Sequence, residues 1–188
     1  MKLGIIGSIL ALSLAANIAH AKDTRAQKRE NIRKMAAQTL DDLYKLRPSS
    51  RDAVHHAAGH AVFKNLGTNV LLLSTASGSG LAVNSKTKQE TFMKMISAGA
   101  GVGMGVKDYR VIFVFENSGA LNRFLDSGWS GSAQTDAAAK AGKSGLAFAG
   151  AIEVDPGVWV YQITKNGLAL QLTLQGTKYY KDGDLNKK

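Results

Sequence analysis

Three of the chain's four histidines fall close together, at His55, His56 and His60. On a helix, His56 and His60 stand four residues apart on one face, where two imidazoles can hold a metal ion. A catalytic zinc needs a third ligand, and the Glu of a His-Glu-x-x-His pattern is missing. These histidines therefore read as polar positions beside a small-residue face, and no metal or other cofactor is expected. The run Ser97-Ala-Gly-Ala-Gly-Val-Gly-Met-Gly-Val106 is a second candidate. Its Gly101, Gly103 and Gly105 are evenly spaced by two, unlike the Gly-x-Gly-x-x-Gly of a dinucleotide loop. Gly142-Lys143-Ser144 fails as a phosphate loop because the glycine required five places before Gly142 is Ala137. No nucleotide is expected. The serines show no Gly-x-Ser-x-Gly elbow, the nearest approach being Gly128-Trp-Ser-Gly131. Asp126, Asp136, Glu153 and Asp155 are scattered, with no visible pair for glycoside chemistry. The chain reads as non-enzymatic.

What remains is charge. The 188 residues carry 24 Lys and Arg against 14 Asp and Glu, a formal net charge of +10. Six cations crowd one short stretch, Lys22, Arg25, Lys28, Arg29, Arg33 and Lys34, against Asp23 and Glu30. At about 1 kcal/mol per basic residue near an anionic membrane, that excess is worth up to roughly 4 kcal/mol, about a thousandfold in affinity. Cations at a helix start also oppose its macrodipole, a local cost that an electrostatic role would rationalise. A solvated outer face on a helix packed through Ile32 to Leu43 accounts for them equally well, and both readings stand. Lys140 and Lys143, in a loop, and the turn lysines Lys86 and Lys88 extend the cationic surface. Aromatic and basic residues are not interleaved as a base-stacking groove requires, so nucleic acid is not expected. Trp129, Trp159 and Tyr179-Tyr180 suit either interfacial anchoring or core packing.

The start of the chain has the pattern of an export signal. Met1-Lys2 is the basic beginning, Leu3 to Ile18 the apolar centre and Ala19-His20-Ala21 the small-x-small cleavage site. Cleavage is predicted after Ala21. Lys2 is the one charged residue removed, so the product carries +9. The absence of cysteine excludes disulfides and a cysteine-linked lipid anchor. A periplasmic or secreted product is expected, peripheral on a membrane at most. A basic protein there meets anionic lipid more readily than nucleic acid.

Periodicity supplies the elements. Ile32, Ala36, Leu40, Leu43 and Leu46 recur at helical spacing until Pro48. Ser49-Ser50 opens a second helix, expected to reach about Leu66 with Val54, Ala57, Ala58, Ala61 and Val62 as its small apolar face and Gly67 as its stop. Strands are predicted over Asn69 to Thr75, Gly80 to Ser85 and Glu90 to Ile96. The glycine run forms a further strand with Val102, Met104 and Val106 on one face, joined through Lys107-Asp108 to Tyr109–Phe115. Asn117 or Ser118 caps a short helix carrying Leu121, Phe124 and Leu125 and stopped by Gly128. Ala137-Ala138-Ala139 fits helix or strand. Leu146 to Val154, Val158 to Thr164 and Leu168 to Tyr180 read as strands split by Asp155-Pro156-Gly157 and Lys165-Asn166-Gly167. The fold class is therefore α+β: a curved, mostly antiparallel, partly barrel-like sheet with N-terminal helices packed on it.

The order of glycine-alternating strand, apolar strand and short capped helix resembles the SYLF domain, a lipid-binding family. Ala57-Ala-Gly-His-Ala-Val-Phe63, Ser77-Gly-Ser-Gly-Leu81 and the closing run from Val160 through Gly167-Leu168 to Gly176 are similar to further family landmarks. The likeness covers roughly residues 40–183. Two segments depart from the family pattern: Lys64-Asn65 stands where a Pro is frequent, and Glu90-Thr-Phe-Met93 where a Trp-Ser-x-Pro-like segment is. The chain is therefore expected to divide into a signal peptide over 1–21 and a basic helical segment over 22–47, both read from the residues, and a SYLF-like domain over 48–188, which the resemblance implies. It tilts the cationic helix toward lipid contact. The expected partner is an anionic phospholipid or membrane surface, reached through Arg25, Lys28, Arg29, Arg33, Lys34, Lys140 and Lys143 and an amphipathic N-terminal helix. The alternative is an exported structural protein that binds another protein.

Overall fold

The computed structural model describes residues 6–70, 73–100, 105–131, 148–169 and 176–187. Helix α1 (Ile6–Leu46) runs unbroken past Ala21. It ends where Pro48 removes a donor, and the Ser50 hydroxyl donates to the carbonyl of Arg47 across the corner (2.6 Å). Helix α2 (Ser50–His56) is a short piece that turns extended at Ala57. Strands β1 (Gly59–Val70), β2 (Leu73–Asn84), β3 (Glu90–Ala100) and β4 (Gly105–Phe115) follow, then helix α3 (Ser118–Ser127). Among the described residues five shorter strands follow: β5 (Trp129–Gly131), β6 (Ile152–Asp155), β7 (Val158–Thr164), β8 (Gly167–Leu168) and β9 (Thr177–Lys181).

All nine strands form one antiparallel sheet in the order β5-β9-β3-β2-β1-β4-β7-β6, with β8 beside β7. The Trp129 ring on β5 lies 5.7 Å from that of Phe113 on β4. Those strands are five places apart in the sheet, roughly 24 Å if it were flat. The sheet therefore curls into a half-barrel. Phe63, Phe113, Phe115, Phe124 and Tyr179 fill its inside, all fully or almost fully buried. Glycine makes room for them: at Gly80, paired with Phe63, a Cβ would run into the Phe63 ring. Helix α3 closes this inner face with Leu121 and Phe124. Its Asn117 side chain accepts from the Ala120 amide (2.9 Å). Asn117→Ala is expected to lower stability by about 1 kcal/mol, measured by urea unfolding; an unchanged midpoint would contradict the capping role.

Helix α1 crosses the outer face diagonally. It starts over Glu90 and Phe92 of β3, which meet Arg33, and reaches Arg110 of β4, which donates to Asp42 (2.6 Å). Its Ile32, Ala36 and Leu43 are buried against Val62, Leu81, Phe92, Ile112 and Tyr161. Burying a side chain such as Ile32 or Leu43 contributes about 1.5–3 kcal/mol. Both faces of the central sheet are thus apolar.

Several sequence expectations change here. The second helix stops at His56, not near Leu66, because Gly59 to Leu66 pair with β2 and β4. Lys107-Asp108 is no hairpin link: β4 runs straight through it, with Asp108 opposite Leu66 and Lys107 opposite Gly67. The strand expected over Asn69 to Thr75 is instead the end of β1 and the start of β2. Residues 148–151 form a turn before β6 rather than strand. Residues 101–104 of the glycine run, the Ala137–Ala139 segment, Lys140 and Lys143 lie outside the described residues.

Candidate functional site

The cationic stretch divides by what each side chain touches. Arg33 grips Glu90 through both oxygens (2.8 and 3.1 Å) and lies 5.4 Å from the Phe92 ring. The Glu90 carboxylate raises its pKa further. Arg29 donates from Nε to the carbonyl of Leu185 (2.8 Å) and also reaches that of Lys187. These two arginines fasten α1 to β3 and to the C-terminal turn. Lys34 lies 3.9 Å from Glu30, one helical turn back. Arg25 and Lys28 line a cavity of about 600 Å³ with Lys94 and Ser79. Arg25 and Lys28 thus face this cavity, and Lys34 stays on the exposed side of the helix. Ile32, Ala36 and Leu43 of its stripe belong to the core, so over residues 24–46 the helix keeps one large aliphatic half exposed, Leu46 at its end, and no broad free amphipathic face.

Exposed apolar surface occurs instead on the sheet. Because α1 crosses diagonally, it leaves the far corner of β1, β2, β3 and β9 uncovered by any described residue. There Leu66 is 54% exposed and Ile96 50%. Register places them in one row, Leu66 beside Ser77 beside Ile96 beside Lys178. The next row is Lys64, Ser79, Lys94 and Tyr180. Two large aliphatics thus stand among three lysines. Lys64 lies 3.7 Å from Asp108 and Lys94 3.3 Å from Asp182, and both remain nearly half exposed. Of these residues only Tyr180 was a sequence candidate, as an interfacial anchor. Their signal was the period-two alternation Lys64-x-Leu66 and Lys94-x-Ile96, with cation and aliphatic both on the outer face.

The other candidates for chemistry separate. His60 sits on β1 and His55 and His56 on α2, so His56 and His60 are not one turn apart on a helix. Among the described residues no three His, Cys, Asp or Glu side chains come close enough to hold a metal. Tyr179 and Trp159 are buried core residues, not interfacial anchors. Burial, reinforced by Lys88, lowers the His60 pKa from 6.5 to about 4. Below pH 6.5 the unfolded chain therefore takes up the proton before the folded one does. Stability is full above that pH and falls until about pH 4, by on the order of 3 kcal/mol. Urea unfolding of His60→Gln beside the native protein is expected to show a flatter pH profile for the variant. Parallel profiles would contradict the assignment.

The geometry is that of a curled antiparallel half-barrel with a helix strapped across its back and an amphipathic corner beside that helix. Residues 96–188 match the family model described as "Ysc84: Las17-binding protein actin regulator". The chain belongs to this Ysc84, or SYLF, family, known as a lipid-binding or actin-regulating domain. It is also 34% identical over 164 residues to "Beta cell expansion factor A" of Aeromonas veronii, a match covering 87% of this chain and 61% of the relative. The chain thus spans less than two thirds of that relative's length. No described helix is long and apolar enough to cross a membrane.

Proposed function

We propose that this protein is an exported, non-enzymatic module that binds anionic phospholipid surfaces through the uncovered corner of its half-barrel. The observation that carries the reading is the row of Leu66 and Ile96 flanked by Lys64, Lys94 and Lys178. Aliphatic side chains half exposed at the centre of a cationic patch match a surface with negative headgroups above an apolar interior. Arg25 and Lys28, which line the cavity beside α1, and Lys34, on its exposed side, add long-range attraction. Arg29 and Arg33 hold the helix in place and contribute to binding through that. Lys140 and Lys143, outside the described residues, stay in the proposal as cations. Phosphatidylglycerol, cardiolipin and lipid A are the partners that fit an export route.

The protein recovered from an exporting host supplies the test. Mass spectrometry of its N-terminus reads the cleavage expected after Ala21. Flotation with phosphatidylglycerol-containing vesicles at low salt is expected to carry it upward, and pure phosphatidylcholine vesicles or high salt to leave it behind. Equal failure with both vesicle types would remove the lipid reading and favour a protein partner for the same corner.

A further inference from the structure

We propose that the groove between α1 and the outer face of the sheet is a binding site for one molecule of a single-chain anionic amphiphile, held as a monomer and not as part of a bilayer. This deepens the lipid reading of the same face and rests on it. Two cavities make up the groove. One, of about 600 Å³, is of mixed character and carries the charged groups Arg25, Lys28, Lys94, Asp182 and Asp184. The other, of about 530 Å³, is lined in the main by apolar groups, among them Met35, Leu66 and Ile96. Asn31, Ile32, Ser79 and Lys94 line both, so the two spaces adjoin along the groove. Each volume lies within the range of small-molecule sites, about 300–1,000 Å³.

The order of chemistries along the groove selects the ligand. At the end near Arg25, four cations, Arg25, Lys28, Lys94 and Lys187, surround two carboxylates, Asp182 and Asp184, which leaves a net positive charge there. Asp182 accepts from the amides of Asp184 and Leu185 and lies 3.3 Å from Lys94, while Asp184 pairs with Lys187 (2.8 Å). The ammonium of Lys94 has three donors and can serve a ligand oxygen beside Asp182. From Arg25 to Met35 the helix wall runs about 15 Å, and beyond it lie Leu66 and Ile96. A charged head at the first end therefore places an alkyl tail over the apolar floor. The floor is one row wide: the neighbouring row, ~6.7 Å along each strand, carries Lys64 and Lys94. A second chain side by side with the first would lie on those lysines, which favours a single tail.

Isothermal titration with sodium dodecanoate, and with dodecylphosphocholine as the zwitterionic control, tests this below the critical micelle concentration of each. Saturable one-to-one binding of dodecanoate is expected, with dodecylphosphocholine weaker. Ser79→Phe fills the junction of the two cavities without removing a charge and is expected to weaken dodecanoate binding by about tenfold or more. Lys28→Gln, an exposed change, is expected to weaken it by roughly fivefold while leaving folding intact. Vesicle flotation of the same variants separates the two readings. Wild-type protein that floats with anionic vesicles yet shows no saturable dodecanoate binding overturns the groove and leaves the surface reading standing. Dodecanoate binding that neither variant weakens also overturns it.

Discussion

Phe113→Ala is expected to destabilise the protein by about 3–5 kcal/mol, a large share of the total stability of a domain this size. The ring is fully buried and sits where the curl closes. Its centroid is 5.9 Å from that of Phe63 on β1, 5.0 Å from Phe124 on α3, 4.9 Å from Tyr179 on β9 and 5.7 Å from Trp129 on β5. Truncation removes the apolar area of the side chain. It also leaves a cavity lined by aromatic groups fixed on four different elements, which cannot collapse together without moving strands. Phe113→Leu refills much of the space and is expected to cost far less. Urea unfolding of both variants is the measurement. A loss below about 1 kcal/mol for the alanine variant would mean that the ring cluster does not hold the half-barrel closed.

The largest expected effect on binding comes from Leu66→Ser combined with Ile96→Ser. Both residues are already half exposed, so the folded protein loses little when they change. Transfer of the remaining apolar area into a membrane interface is worth about 2–3 kcal/mol for the pair, or roughly 30- to 150-fold in vesicle affinity. Neutralising Lys64 and Lys178 instead should flatten the salt dependence while leaving some apolar binding at high salt. Titration of phosphatidylglycerol vesicles into each variant separates these contributions. Vesicle affinity that is unchanged in the double serine variant would move the contact away from the sheet.

How much of this was legible in the sequence depended on whether an element is governed by its neighbours in the chain. Helix α3 followed directly from the Asn117 cap and the Leu121-Phe124 spacing, and Gly128, with φ near 73°, stops it as expected. The two-residue turns before β7 and β8 followed from Pro156-Gly157 and Asn166-Gly167. The segment Ala57 to Leu66 misled because both faces of β1 are buried there. Ala61 and Phe63 point inward while Val62 packs outward, so apolar residues fill every position and can be taken for a small helical face. Alternation reappears only beyond α1, at Lys64 and Leu66, which is also where the candidate site begins.

The site was half visible for a related reason. The cations of α1 stand out as a run, but which of them are spent on the fold is decided by partners far along the chain. Glu90 is 57 residues from Arg33, and the Leu185 carbonyl is 156 residues from Arg29. No local pattern carries that information. The aliphatic row is likewise created by register, which brings Leu66, Ser77 and Ile96 side by side from three strands.

The chain's lack of cysteine makes a direct test of the docking face possible. An environment-sensitive dye would be placed at Ser77→Cys, between Leu66 and Ile96, and in a second preparation at Asn122→Cys on the exposed side of α3. Phosphatidylglycerol vesicles are expected to shift the emission of the Ser77 dye to the blue and leave the Asn122 dye unchanged, with no shift from phosphatidylcholine. A shift at Asn122 with none at Ser77 would contradict the account.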